Sequence, residues 1–134
     1  TMMNEDTKNR SAEAMSRALQ KLGSTINVLT NVDGVLFQVR TLKKNLDATL
    51  ALLEERMLMP KFTDDAFKRL KNQAIEGFKQ QKSQPAAIAD VVFAKINYGN
   101  SILGISGDGN ETTVKNLKLE DIQNYYDNYM TSQG

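Results

Sequence analysis

The hydrophobic pattern at the start of the chain predicts a helix. Apolar residues recur every three or four positions from Ala12 to Leu22, which places them on one helical face. Ser11 is a suitable N-cap, because its hydroxyl can accept a hydrogen bond from a free backbone amide of the first turn. Gly23 suits the left-handed position that commonly follows a helix. We therefore predict a helix over residues 11–22.

Alternation of apolar and polar positions follows, and it predicts two strands. Residues 24–31 alternate around Ile26 and Val28, and residues 35–42 show the same period of two. Asp33-Gly34 stands between the two runs and is a strong signal for a tight turn, because glycine tolerates a positive φ. The pattern therefore predicts an antiparallel hairpin. A lone two-stranded sheet is marginal in water, so we expect further strands from outside this segment.

Three helices are predicted in the middle of the chain. The first ends before Pro60, because the residue before a proline avoids helical geometry. Thr63 caps the second, over residues 63–82, and Pro85 suits the first position of the third. The expected core-facing stripes are Leu46, Leu50, Leu53 and Met57, thickened by Leu52 and Leu58; Phe67, Leu70, Ala74 and Phe78; and Ile88, Val92 and Ile96.

The C-terminal part is predicted to hold a loop and a helix. Residues 99–117 contain four glycines and indicate one long irregular loop. A last helix begins at Leu119-Glu120-Asp121, and its three tyrosines at helical spacing are more typical of a half-buried core than of an exposed stacking platform. The order of elements predicts an α+β fold, with a hairpin of a larger antiparallel sheet packed against helices in a single domain over residues 1–134.

Composition restricts the chemistry of this segment. The chain has no cysteine and no histidine, which excludes disulfides, thiolate ligands and the most usual general base. Zinc could be held only by Asp and Glu, a poor match to its usual nitrogen and sulfur ligands. The 17 basic and 16 acidic residues give a net charge of +1, which argues against a nucleic-acid partner. No apolar run is long enough to predict a membrane span.

Several local strings occur in a fixed order. They are Met3-Asn4-Glu5-Asp6-Thr7, the run from Leu22-Gly23 to Asn27-Val28-Leu29-Thr30, the run from Asn45-Leu46-Asp47 to Met59-Pro60-Lys61-Phe62, Tyr98-Gly99 with Gly104, and Leu119-Glu120-Asp121-Ile122 with Tyr125, Tyr126 and Tyr129. Together they resemble the pitrilysin/insulinase family of zinc peptidases, which includes the mitochondrial processing peptidases, over essentially the whole chain. The resemblance implies the two-layer α+β half-domain of these metallopeptidases.

The family's zinc ligands have no counterpart here. Active members carry H-x-x-E-H, in which two histidines bind zinc and the glutamate activates water. Aligned without gaps on Thr7, the second histidine falls at Thr1. The third ligand is the glutamate that ends a later E-x₆-E pattern, and counting back from Pro85 places the two glutamates of this pattern at Leu70 and Gly77. Glu76 is adjacent, but one helical residue turns a side chain by about 100°. The resemblance therefore implies no catalytic and no metal-binding residue in this segment, with zinc in the catalytic half of the parent.

In many members of this family an inactive half faces the active half and encloses the peptide. This chain resembles such an inactive half, which implies a non-catalytic scaffold or substrate-enclosing segment of a zinc metalloendopeptidase. The implied partners are the catalytic half of the same chain or a homologous subunit, and a peptide substrate. The alternative is a peptidase-derived binding or assembly protein whose complex has lost proteolysis. Bacterial relatives are often periplasmic or envelope proteins.

One candidate site in this segment lies on the first predicted strand. An extended peptide could add to a hairpin edge as an extra strand. In active members of the family, the corresponding strand forms the edge that pairs with the peptide substrate. Carried over to this chain, the resemblance implies a peptide-binding edge at Asn27, Val28, Leu29 and Thr30.

Overall fold

The computed structural model describes residues 1–31, 34–101, 104–105, 107 and 109–130. Contacts divide the chain into two compact units, Thr1–Ala66 and Phe67–Gly134. The described elements are helices α1 (Ala12–Lys21), α2 (Leu46–Leu58), α3 (Asp64–Gln81), α4 (Pro85–Tyr98), α5 (Glu111–Asn116) and α6 (Leu119–Tyr129), strands β1 (Thr25–Asn31) and β2 (Gly34–Arg40), and 3₁₀ turns at Met2–Asn4 and Lys43–Asn45. The α+β class is confirmed, and the single domain over residues 1–134 stays a prediction.

Helix α1 has the ends that the sequence predicts. The Ser11 hydroxyl accepts a hydrogen bond from the Ala14 amide at 3.2 Å. Asp6 contributes a second cap, since its Oδ1 accepts from the Ala12 amide at 2.8 Å. Gly23 follows the helix with a φ of 59°, a conformation that an L-residue adopts only with strain. These contacts end the helix and turn the chain toward β1.

Strands β1 and β2 form the predicted antiparallel hairpin, with ends that differ by one or two residues from the expected ones. Ile26 lies opposite Val39, and Asn31 lies opposite Gly34. Gly34 is thus the first residue of β2 rather than part of the turn, and its amide donates to Asn31 Oδ1 at 2.9 Å. The other residue of the predicted Asp33-Gly34 turn, Asp33, lies outside the described residues.

One face of the hairpin builds the core of the first unit. The buried cluster consists of Met15, Leu19, Ile26 and Leu52, with half-buried Phe37 and Val39 of β2 among the side chains packed against it. The opposite face carries a cross-strand pair of leucines, Leu29 and Leu36, which are 52% and 56% exposed. Within the described residues, the hairpin therefore buries its side chains mainly on one face.

Helix α2 corrects the sequence analysis in part, because only Leu52 and Leu53 of the predicted leucines belong to the core or pack against it. The buried residues are Thr49, Leu52, Glu55 and Arg56. Three leucines expected to face the core are 41%, 44% and 59% exposed: Leu46, Leu50 and Leu58. The helix is oriented by polar side chains that find buried partners, and apolar periodicity alone does not reveal those partners.

A cluster of three hydroxyls holds the N-terminal part of α2. Ser24 Oγ lies 2.8 Å from both Thr41 Oγ1 and Thr49 Oγ1. Thr49 is fully buried and donates to the Asn45 carbonyl at 2.8 Å, and Asn45 Nδ2 donates to the Leu22 carbonyl at 2.8 Å. Because buried polar groups are costly unless bonded, this cluster fixes the residues that flank both strands against α2.

The second unit also departs from the sequence analysis. The prediction of one irregular loop over residues 99–117 is wrong, because α5 lies within it. Asn110 and Thr113 form a reciprocal capping box at the start of α5, a signal present in the sequence but too short to show apolar periodicity. Gly104 lies against the backbone of Gly99, and a Cβ at this position would clash with the Gly99 carbonyl oxygen.

Several apolar side chains of the second unit are exposed to solvent. The predicted inward residues of α4, Ile88, Val92 and Ile96, are 48%, 48% and 77% exposed. Tyr125 and Tyr129 of α6 are also exposed, with ring centroids 5.0 Å apart, so the prediction that they are half-buried is wrong. Among the described helices, none is long and apolar enough to cross a membrane.

The orientation of α2 leads to a stability prediction. Leu52→Ala should lower the free energy of unfolding by about 3 kcal/mol, because it removes a fully packed side chain and leaves a cavity. Leu50→Ala, two residues away and 44% exposed, should change it by less than about 0.5 kcal/mol. Urea unfolding of both variants measures the difference. A larger loss for Leu50→Ala would contradict the observed orientation of the helix.

Candidate functional site

The outer edge of β1 is the candidate site. Strand β1 pairs with β2 along one side, and within the part of the chain that the structure describes no other strand pairs with it. An edge strand presents a row of backbone donors and acceptors that can pair with an extended peptide. The predicted residues 27–30 lie on this edge.

The contact between Arg56 and Ile26 shows which backbone groups face outward. Arg56 Nη1 donates to the Ile26 carbonyl at 3.0 Å, so this carbonyl points away from β2 and toward α2. In an antiparallel strand, residues whose backbone groups face the partner alternate with residues whose groups face away. Val28 and Thr30 have the same parity as Ile26, and their N–H and C=O groups therefore lie on the open edge.

The side chains of the predicted residues divide into two groups. Val28 is only 7% exposed and packs on the core side, so it can offer a peptide its backbone but not its side chain. Asn27 and Thr30 are exposed, and Leu29 is 52% exposed on the outer face of the hairpin. An added strand would therefore lie beside two exposed polar side chains, Asn27 and Thr30, and one exposed apolar side chain, Leu29.

Arg56 closes this edge at its Ile26 end and was missed by the sequence analysis. The residue is 7% exposed, and its Nε is enclosed without a hydrogen-bond partner. Burial lowers the pKa of Arg56 below its ordinary value, because a low-dielectric environment disfavours the charged form. No sequence signal distinguished Arg56 from a solvated charge, since only the packing of α2 shows that it points inward.

Glu55, the preceding residue, holds the N-terminal segment against α2. Its Oε1 accepts a hydrogen bond from Thr7 Oγ1 at 2.5 Å, and its Oε2 accepts from Arg10 Nε at 2.8 Å. A bridge between Thr7 and Pro60 and a bond from the Lys8 amide to the Met59 carbonyl join the same two segments. Burial raises the pKa of Glu55, but the bonds from Thr7 and Arg10 outweigh it and the net pKa lies below the ordinary value.

The positions that correspond to zinc ligands do not fit a metal. The Thr1 side chain accepts a bond from the Met3 amide and caps the first 3₁₀ turn. Leu70 is half-buried and Gly77 is exposed, while the Glu76 carboxylate is bonded to Lys79 Nζ at 2.7 Å. In the described part of the chain, no three Asp or Glu side chains come together in a way that could hold a metal ion.

The chain matches a known protein family. A model of the insulinase family (peptidase family M16) matches residues 1–105. The chain belongs to this family. The non-peptidase homolog YmxG of Helicobacter pylori is 23% identical over 125 residues, which are 93% of this chain and 29% of that protein. The chain thus spans about a third of the length of the relatives that it matches.

Solved structures show the same fold. The peptidase M16 inactive domain from Pseudomonas fluorescens superposes with a TM-score of 0.86 at 25% identity, covering 92% of this chain and 31% of that one. A protease from Helicobacter pylori gives a TM-score of 0.84 at 20% identity, covering 97% and 32% of the two chains. Together with YmxG, the inactive domain confirms the resemblance to a non-catalytic half of this family.

Glu55 leads to a prediction about pH. Because its pKa is lowered on folding, its contribution to stability is present above the unfolded pKa of about 4.3 and is lost as the pH falls through the folded pKa. Glu55→Gln should cost about 1 to 3 kcal/mol at pH 7 and less in acid. Unfolding measured between neutral and acidic pH tests this. Glu54→Gln, on the exposed side of α2, is the matched control and should change the free energy of unfolding at neither pH. An equal loss of stability in both variants would contradict the role of Glu55.

Proposed function

We propose that the chain is a non-catalytic, substrate-enclosing segment of a zinc metalloendopeptidase, and that the edge of β1 receives part of an extended peptide. The open backbone groups of Val28 and Thr30 carry the proposal, because they match the hydrogen-bonding pattern of an added strand. Exposed Leu29 supplies an apolar contact beside them. The peptide would be enclosed between this segment and the catalytic half of the same chain or of a homologous subunit.

The non-catalytic part of the proposal rests on the residues present. The chain contains no histidine or cysteine, and Thr1 and Gly77 stand where the family's second histidine ligand and its glutamate ligand fall. Two similar proteins are described as a non-peptidase homolog and as an inactive domain, which supports a scaffold role here. Zinc and the attack on the peptide bond then belong to another part of the parent protein or complex.

A second function is favoured by one of the relatives. YmxG is named as a non-peptidase homolog, so a binding or assembly protein without proteolysis is the alternative for this chain as well. The sequence of the full-length protein and its partner subunit separates the two. An intact H-x-x-E-H motif in either supports the peptidase assembly, and its absence from both supports the alternative.

Metal analysis tests the non-catalytic assignment. The purified chain should contain no stoichiometric zinc and should not digest an unfolded polypeptide, because it lacks the ligands that would hold the ion. Inductively coupled plasma mass spectrometry gives the metal content, and a protein with an intact H-x-x-E-H motif serves as the positive control. One tightly bound zinc per chain would overturn the assignment.

The edge of β1 can be tested with two variants of one exposed residue. Thr30→Pro removes an outward-facing N–H without removing a bond to β2, and proline is tolerated on sheet edges of this kind. In the full-length protein we expect it to weaken binding of a short, unstructured fluorescent peptide about twofold to tenfold, the value of one hydrogen bond. Thr30→Ala keeps the N–H and should bind as the unmodified protein does.

Fluorescence anisotropy measures the affinities, and a benzophenone-bearing form of the same peptide locates the contact. Cross-links to residues 27–30 are the expected result. Labelling confined to other parts of the protein, together with equal affinities for Thr30→Pro and Thr30→Ala, would show that the hairpin is purely structural.

A further inference from the structure

Arg56 is a buried charge without a counter-ion in the described part of the chain. Its Nη1 is used by the Ile26 carbonyl, and its Nε is enclosed with no partner. Nη2 takes part in none of the hydrogen bonds that the structure describes. Buried charges are ordinarily paired, because an uncompensated charge in a low-dielectric environment is strongly unfavourable.

The nearest acid in sequence cannot supply the missing charge. Both carboxylate oxygens of Glu55 are already bonded, Oε1 to Thr7 and Oε2 to Arg10. None of the described ion pairs includes Arg56. The two neighbours on α2 therefore serve different purposes: Glu55 ties down the N-terminal segment, and Arg56 presents an unsatisfied guanidinium beside β1.

The position of Arg56 along β1 determines which end of a paired peptide would reach it. The Arg56 guanidinium already donates to the Ile26 carbonyl. An added strand can therefore form backbone hydrogen bonds with Val28 and Thr30, and its pairing with β1 ends at Ile26. Ile26 lies near the N-terminal end of β1. A peptide that pairs antiparallel to β1 therefore brings its own C-terminal end to Arg56.

We infer that Arg56 is a specificity residue that binds a carboxylate at the C-terminal end of a peptide paired antiparallel with β1. A guanidinium suits this task because it is always charged and its planar fork lets Nη2 donate to a carboxylate while Nη1 holds the Ile26 carbonyl. The inference rests on the proposed function, since it requires a peptide on the β1 edge. The carboxylate can come from the free C-terminus of the peptide or from the side chain of a last Asp or Glu.

Three forms of one fluorescent peptide test the inference on the full-length protein. The first has a free C-terminus, the second is amidated, and the third is amidated but has Asp as its last residue. We expect amidation to weaken binding about tenfold or more, the effect of losing a charge-assisted hydrogen bond. The Asp-containing peptide distinguishes the sources: recovered affinity shows that a side-chain carboxylate is accepted, and no recovery shows that the terminal carboxylate is required. Both results support carboxylate binding.

The protein variants keep the inference separate from a loss of folding. Arg56→Met keeps an unbranched side chain of similar length and removes the buried charge, together with the bond to the Ile26 carbonyl. In this variant the free and amidated peptides should bind equally. Arg56→Lys retains the charge but not the fork, so a reduced preference for the free peptide is expected. Thermal unfolding confirms that both variants are folded, and the comparison of peptides on the unmodified protein needs no variant.

Three negative results have different meanings. If Thr30→Pro weakens binding but amidation has no effect on the unmodified protein, the peptide uses the β1 edge and the assignment of Arg56 is wrong. If amidation weakens binding equally in the unmodified protein and in Arg56→Met, the carboxylate binds elsewhere and the assignment is also wrong. If neither the peptide nor its benzophenone form contacts β1, the proposed function itself fails.

Discussion

The first unit depends on the hydrogen-bonded polar face of α2. Thr49, Glu55 and Arg56 are buried on a helix whose leucines are largely exposed, and each of the three has a partner from a different segment. A buried polar group left without a partner costs about 1 to 3 kcal/mol, so this arrangement is stable only when all of these segments are in place. It also specifies a register, because an apolar face can slide or rotate more freely than a set of directional bonds.

The buried face of α2 also determines which groups of β1 are available to a peptide. Leu52 shares the buried cluster with Ile26, and Arg56, one turn further along α2, donates to the Ile26 carbonyl. The core contact fixes which side chains of β1 point inward, and the arginine contact fixes which backbone groups point outward. A scaffold can therefore retain a peptide-binding edge after the catalytic residues are gone, because the edge depends on packing and backbone geometry rather than on zinc ligands.

Exposed apolar surface in both units is consistent with a chain about one third as long as its relatives. Leu46, Leu50 and Leu58 on α2 and the apolar residues of α4 are exposed despite their helical periodicity. Exposed apolar patches of this kind mark surfaces that contact other protein segments. Under the proposed function, we expect the rest of the parent protein to pack on these surfaces and to leave the edge of β1 accessible to peptide.

Sequence alone determined the α+β class, most of the helix ends and the hairpin, because capping residues, prolines and periodicity act locally. Ser11, Gly23 and Pro85 each mark the boundary that the structure shows. The absence of histidine and cysteine likewise identified a segment without the family's zinc ligands. Only the tertiary structure decided that α2 turns Glu55 and Arg56 inward and leaves Leu46, Leu50 and Leu58 exposed. That choice depends on partners distant in sequence, such as Thr7 and Ile26, whose bonds outweigh the apolar stripe and which no local pattern can reveal.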